Sequence, residues 1–228
     1  MHGLMRMTIL FLLCLISVSS FSQSEKETNI GLSTSVKVQK NLNRFFNLDI
    51  EEEVRLINND KGFDRSVTSI GLDYALFDKR LKLGAYYAFI YLYNNDHFFE
   101  PRQRYYLNLS YMHPVDRFTF SWRGRFQGTY RDENIGEYKI NPKYITKNKV
   151  EVKYAVWGRP WKPYISSDLS TDLNNPKGNY LTRIRYQGGT AWRINRTDYL
   201  DFFIRYDQYM EGNEPNVWSL GIGFEKKL

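Results

Sequence analysis

Cysteine is nearly absent: the 228 residues contain one, Cys14, and it sits inside an N-terminal apolar run. The chain beyond that run has no material for disulfides, thiol catalysis or thiolate metal sites. Histidine is scarce as well, at three residues. His97 and His113 have no serine and carboxylate beside them in a triad-like pattern, and each reads as a solvated loop or turn residue. P-loop, dinucleotide, EF-hand and zinc spacings are missing, so neither a cofactor nor a metal is expected. After the N-terminal run no stretch reaches about 18 consecutive apolar residues, which excludes membrane-spanning helices.

Residues Met1–Ser22 have the form of a secretory leader. Arg6 supplies the positive start, Ile9–Ile16 an apolar core too short to span a bilayer, and Ser20-Phe21-Ser22 a small-x-small cleavage site. A mature chain from Gln23 is expected, with residues 23–228 forming one domain. Cys14 would leave with the leader.

What the chain has in abundance is aromatic residues, 17% of the total, with Tyr the commonest at 18. Their placement is periodic. In Phe118–Arg131 the even positions Phe118, Phe120, Trp122, Phe126 and Tyr130 are aromatic, interrupted by Gly124 and Gly128. The odd positions are all polar or cationic. Period-2 alternation marks a β-strand with one apolar and one polar face, and this run is more than twice the usual strand length of about 5–6 residues.

The same pattern recurs at Gly31–Gln39, Phe46–Ile57, Ser66–Phe77, Leu81–Tyr93, Arg102–Met112, Tyr144–Val156, Tyr164–Leu173, Tyr180–Ile194, Tyr199–Met210 and Val217–Leu228. Glu52 violates the apolar face of its strand. His113-Pro114 and Gly158–Pro163 read as tight connections, because proline cannot donate to a ladder. Eleven strands result, joined alternately by short and longer connections. Single-chain bacterial barrels are usually even-numbered, so about twelve strands (10–12) are expected, with Gln23–Ile30 a candidate for the twelfth. Negative mean hydropathy is compatible, since a barrel strand spends every second residue on a polar lumen.

The polar face is where function would lie. Along the strands it carries fifteen bases against ten acids. Its basic ladder is Arg102, Arg104, Arg123, Arg125, Arg183 and Arg185. The acidic partners expected for it are Asp49, Glu51, Glu53 and Asp168. A twelve-stranded barrel is roughly 24 Å across between backbones, so long side chains from opposite walls would occupy most of it. Two readings stay open. The charges pair and plug the lumen, because a confined unpaired charge costs several kcal/mol; or the basic surplus makes a narrow path or pocket for anions. The net charge of +7 does not point to nucleic acid, because the bases alternate along strands of an exported chain and do not cluster.

The Glu51-x-Glu53-x-Arg55 strand, the Arg123-x-Arg125 strand, Pro163-Tyr164 with Asp168, and Arg185-x-x-x-Gly189 occur in this order. Together they resemble the domain of unknown function 2490 family, outer-membrane barrels of Gram-negative bacteria, over essentially the whole mature chain. The resemblance implies a barrel and an outer-membrane address, and assigns no activity or site residues. Asp168 stands where Glu would be expected, and Leu228 where outer-membrane barrels usually end on an aromatic.

The expectation is therefore an all-β, up-and-down antiparallel transmembrane β-barrel in the outer membrane that is not an enzyme. Its partners would be outer-membrane lipids, the barrel-assembly machinery and a small anionic solute. The alternatives are a lipid-acting outer-membrane enzyme, or an exported soluble barrel with its aromatic face inside around a ligand. Protein from isolated outer membranes is expected to migrate differently boiled and unboiled on a denaturing gel. No shift, with the protein in the soluble periplasmic fraction, would instead mean that the aromatic face is a core.

Overall fold

A computed structural model describes residues 28–58, 62–93, 98–132, 140–176, 178–210 and 214–228. The leader expected over Met1–Ser22, His97, and most of the Asp132–Pro142 loop lie outside the described residues. Eleven strands form one closed barrel. They are β1 (Thr28–Asn41), β2 (Phe46–Ile57), β3 (Phe63–Leu76), β4 (Leu81–Tyr93), β5 (Phe99–Val115) and β6 (Phe118–Arg131). The circuit continues with β7 (Lys143–Tyr154), β8 (Trp161–Asp172), β9 (Tyr180–Arg193), β10 (Asp198–Tyr209) and β11 (Asn216–Lys227).

The expected count of about twelve (10–12) comes to eleven among the described residues. Thr28–Ile30, assigned to a possible extra strand, are the first residues of β1. Antiparallel neighbours alternate in direction, so an odd number makes the first and last strands run the same way. β1 accordingly pairs with β11 in parallel, from Thr28↔Asn216 to Gln39↔Lys227. The seam is prolonged by hydrogen bonds from Leu228 N–H to Gln39 C=O (2.8 Å) and from Asn41 N–H to Leu228 C=O (3.1 Å).

One proposed turn is strand, and another is shorter than expected, residues 158–160 remaining turn and bend. His113 and Pro114 pair with Phe120 and Thr119, and the β5–β6 hairpin turns at Asp116-Arg117, with Asp116 at φ 50°. Trp161-Lys162-Pro163 begins β8 and pairs with Trp192–Thr190, which makes β8 a full 12-residue strand. Both prolines lie close to strand ends, where a missing N–H costs the ladder little.

The strands run 12 to 17 residues, and their two faces separate sharply. Ile30, Leu32, Leu107, Val150, Ile165, Ile204 and Leu220 are all more than half exposed on the outer surface. Aromatic side chains gather toward both rims. At the loop rim Tyr91 stacks on Phe99 (4.6 Å) and Tyr206 packs on Trp218 (4.6 Å); at the tight-turn rim Trp161 stacks on Trp192 (5.2 Å). The soluble alternative required the reverse, an aromatic interior and a charged exterior. Outward-facing Glu52 has its own local partners, the hydroxyls of Ser66 and Thr68 on the neighbouring strand.

Glycine lets large inward side chains lie flat against the wall. A Cβ on Gly71 would stand 1.9 Å from the Tyr86 ring, and one on Gly221 would stand 2.0 Å from Phe203. Phe203 is buried and held from its other side by the Arg205 guanidinium, 4.7 Å from the ring centroid. Gly221→Ala should therefore destabilise the barrel by about 1–3 kcal/mol through overpacking, read as a lower urea midpoint of the folded gel band. An unchanged midpoint would show that Phe203 has room to swing away.

Candidate functional site

The inner wall encloses a cavity of about 790 Å³. Alternation alone puts charges there, because each strand turns every second side chain inward and those positions are mostly Arg, Lys, Glu and Asp. Thirteen of the lining side chains are Arg or Lys and four are Glu or Asp. Several acids that might neutralise them lie elsewhere along the axis. Asp49, Asp73, Glu151, Asp201 and Glu225 all fall near the tight-turn ends of their strands, away from the cavity.

That turn-side portion of the lumen is filled. Tyr86 stacks on Tyr106 at 4.9 Å with rings nearly parallel. The Tyr86 hydroxyl lies 2.7 Å from an Asp73 carboxylate oxygen and 3.2 Å from Asp49, and Lys37 pairs with Asp49 at 3.0 Å. A second chain of contacts crosses between walls. Tyr164 on β8 donates to Asp201 (2.8 Å) and accepts from Gln187 (2.7 Å); Gln187 in turn accepts from Arg205 Nε (3.1 Å). Arg205 Nη1 reaches Glu53 on β2 at 3.3 Å. The span is possible because the intervening seam presents only small inward residues, Gly31, Ser33 and Ser35 beside Ser219, Gly221 and Gly223.

The predicted basic ladder divides into paired and unpaired members. Arg102 forks onto Glu100 (2.7 and 2.9 Å). Arg185 forks onto Asp207 (2.6 and 2.9 Å), which Arg183 also approaches at 3.7 Å. Arg123 touches Asp168 at 3.8 Å. Among the described residues Arg104 donates only to the Thr129 hydroxyl (3.0 Å) and Arg125 only to the Asn108 carbonyl (2.9 Å). The Arg125 guanidinium lies over the Tyr106 ring at 4.0 Å.

The four predicted acids are placed less well. Among them only Asp168 contacts a member of the six-arginine ladder. Glu53 serves Arg55, which forks onto it (2.9 and 3.1 Å), and Arg205. Asp49 belongs to the turn-side plug. Glu51 lines the cavity with no hydrogen bond or ion pair among the described residues. The partners that matter are Glu100 and Asp207, both buried: Glu100 stands two residues from Arg102 on β5, whereas Asp207 meets Arg185 through the β9–β10 register.

Arg65 and Lys143 also line the cavity. The expected strands start at Ser66 and Tyr144, three residues after β3 begins and one after β7 begins, although both side chains continue the inward period of Val67-x-Ser69 and Lys147-x-Lys149. Lys143 pairs at 2.9 Å with Asp172, which is fully buried. Lys147 has no hydrogen bond or ion pair among the described residues. His113 faces outward against Tyr111, and no group of three or more His, Cys, Asp or Glu residues converges on a metal-sized site among the described residues.

The buried Asp207 carries two guanidinium partners. Asp207→Asn should cost about 3 kcal/mol by leaving Arg185 and Arg183 uncompensated, measured by urea unfolding in detergent micelles. A loss under 1 kcal/mol would mean that lumen water already screens the pair.

A family model described as protein of unknown function (DUF2490) matches residues 31–217. No curated protein matches the chain.

Proposed function

Since the chain belongs to the DUF2490 family, whose description names no activity, we propose from its geometry that it is an outer-membrane β-barrel with an anion-attracting vestibule. The tight turns would face the periplasm and the longer loops the outside, as in bacterial barrels. The apolar exterior and the aromatic clusters at both rims support a bilayer as its surroundings. Every strand exceeds the ~9–11 residues that a tilted strand needs to cross. Outer-membrane lipids and the barrel-assembly machinery are the partners this location implies. The reading involves no enzymatic chemistry.

The observation that carries the vestibule is the lining, thirteen cationic side chains against four acidic ones around about 790 Å³. Walls of one sign in a low-dielectric enclosure focus the field and raise the local concentration of counter-ions. Passage through the barrel, if the Tyr86–Tyr106 and Tyr164–Arg205–Glu53 contacts stay closed, is narrow and slow. The lumen is thus plugged on the turn side and receptive on the loop side, which combines the two readings left open by the sequence.

Arg123 and Arg125 distinguish these roles. Arg123 holds Asp168 at the long distance of 3.8 Å and Arg125 has no carboxylate partner among the described residues, so Arg123→Ala with Arg125→Ala should leave heat-modifiability intact and shift the reversal potential in a salt gradient toward cation selectivity. A double variant that fails to fold would make the ladder a structural plug. Unchanged stability together with unchanged selectivity would overturn both roles.

A further inference from the structure

We propose that Arg104, Arg125 and Lys147 form a binding site for the phosphate group of a small polyol phosphate entering from the loop rim. The inference rests on the vestibule reading and names its ligand class.

These three side chains project from consecutive strands, β5, β6 and β7, into one cavity. Arg125 and Lys147 are direct register partners. Elsewhere in the lumen cations are matched closely by acids: Arg102 by Glu100, Arg185 by Asp207, Lys149 and Lys153 by Glu151 at 2.6 and 3.0 Å, Lys143 by Asp172. Here the hydrogen-bond partners are neutral, Thr129 for Arg104 and Asn108 for Arg125, and Lys147 has none among the described residues. Asp168, the acid within electrostatic range of Lys147, is already engaged by Arg123. Glu51 faces Arg125 and Arg123 from the opposite wall at a distance too long for an ion pair. Three confined cations that repel one another are costly to hold together unless an anion joins them.

The chemistry of the three groups selects the anion. Two guanidinium forks and one ammonium offer many convergent donors, more than a carboxylate's two oxygens use and with directionality that chloride does not need. A phosphate monoester brings close to two charges and three terminal oxygens. The cavity volume lies in the range of small-molecule sites, about 300–1,000 Å³, and so exceeds what the phosphate alone fills. Gln127 beside Arg125 on β6, and Ser166 and Ser170 on β8, suit a hydroxyl-bearing remainder.

The test is calorimetric titration of the refolded chain in detergent micelles with glycerol 3-phosphate, alongside inorganic phosphate and glycerol. Glycerol 3-phosphate is expected to bind, inorganic phosphate more weakly, and glycerol not at all. Arg104→Gln and Lys147→Gln should each weaken binding by between about tenfold and a hundredfold, the value of a charged hydrogen bond. Neither should lower the urea midpoint, since neither residue has an acid to leave unpaired. Lys149→Gln removes one charge from the same cavity while Glu151 keeps Lys153, and should leave the affinity near that of the unsubstituted chain. Equal weakening by Lys149→Gln and Lys147→Gln would overturn the site in favour of a diffuse field. An anion-selective barrel that binds no glycerol 3-phosphate would overturn this inference and leave the vestibule standing; loss of anion selectivity in the unsubstituted chain would remove the vestibule itself.

Discussion

A sheet whose outer surface is predominantly apolar gains little by leaving an edge free. In the bilayer proposed for this chain, each unpaired backbone N–H and C=O would find no hydrogen bond, at a cost of several kcal/mol apiece. The parallel ladder between β1 and β11 removes that edge, and the rest of the molecule depends on it. Only a closed sheet gives all strands a common interior, and only a common interior confines so many charges together. Closure also forces the seam to be thin. The small residues of β1 and β11 let Arg205 reach from β10 to Glu53 on β2, so the strand pairing that closes the backbone also permits a side-chain bridge across it.

Inside the barrel the governing quantity is the pairing of charge along the axis. Acids gathered near the tight turns combine with Tyr86, Tyr106 and Tyr164 into a dense, hydrogen-bonded floor. Above that floor the cations outnumber the acids and stay partly uncompensated. On the proposed reading the asymmetry has a physical consequence that a uniform plug lacks, a field that would draw anions in from one end and contacts that would hinder their exit at the other. Stability and reception are therefore assigned to different residues: Asp207, Glu53 and Glu100 hold the wall together, while Arg104, Arg125 and Lys147 remain available.

Much of the fold was legible before any coordinates, and for a definite reason. Alternation in Phe118–Arg131 or Leu81–Tyr93 is a local property, written residue by residue, and it survives any detail of the assembly. Inward Arg102, Arg104, Arg123, Arg125, Arg183 and Arg185 follow from the same parity. Where the reading slipped, the information was not local. Pro114 and Pro163 look like chain breakers, yet each lies near a strand end where the absent N–H does little harm. The even-number expectation came from habit among bacterial barrels, whereas closure requires only that the first and last strands pair, and parallel pairing satisfies that.

The order of strands in the chain, the apolar face and the basic excess on the polar face were determined by the sequence alone, because each is a period-2 pattern or a composition. Pairs two residues apart on one strand, such as Arg55–Glu53 and Arg102–Glu100, are local, but which acid meets which base across strands was decided only by the tertiary structure. Asp207 lies 22 residues from Arg185, and Glu53 lies 152 residues from Arg205. Such pairs depend on the stagger between strands and on the closure of the ring. Stagger accumulates around the barrel from turns and from bulges such as those at Arg55/Leu56 and Ser170/Thr171, and a shift of register at any one of them moves an acid from one base to the next.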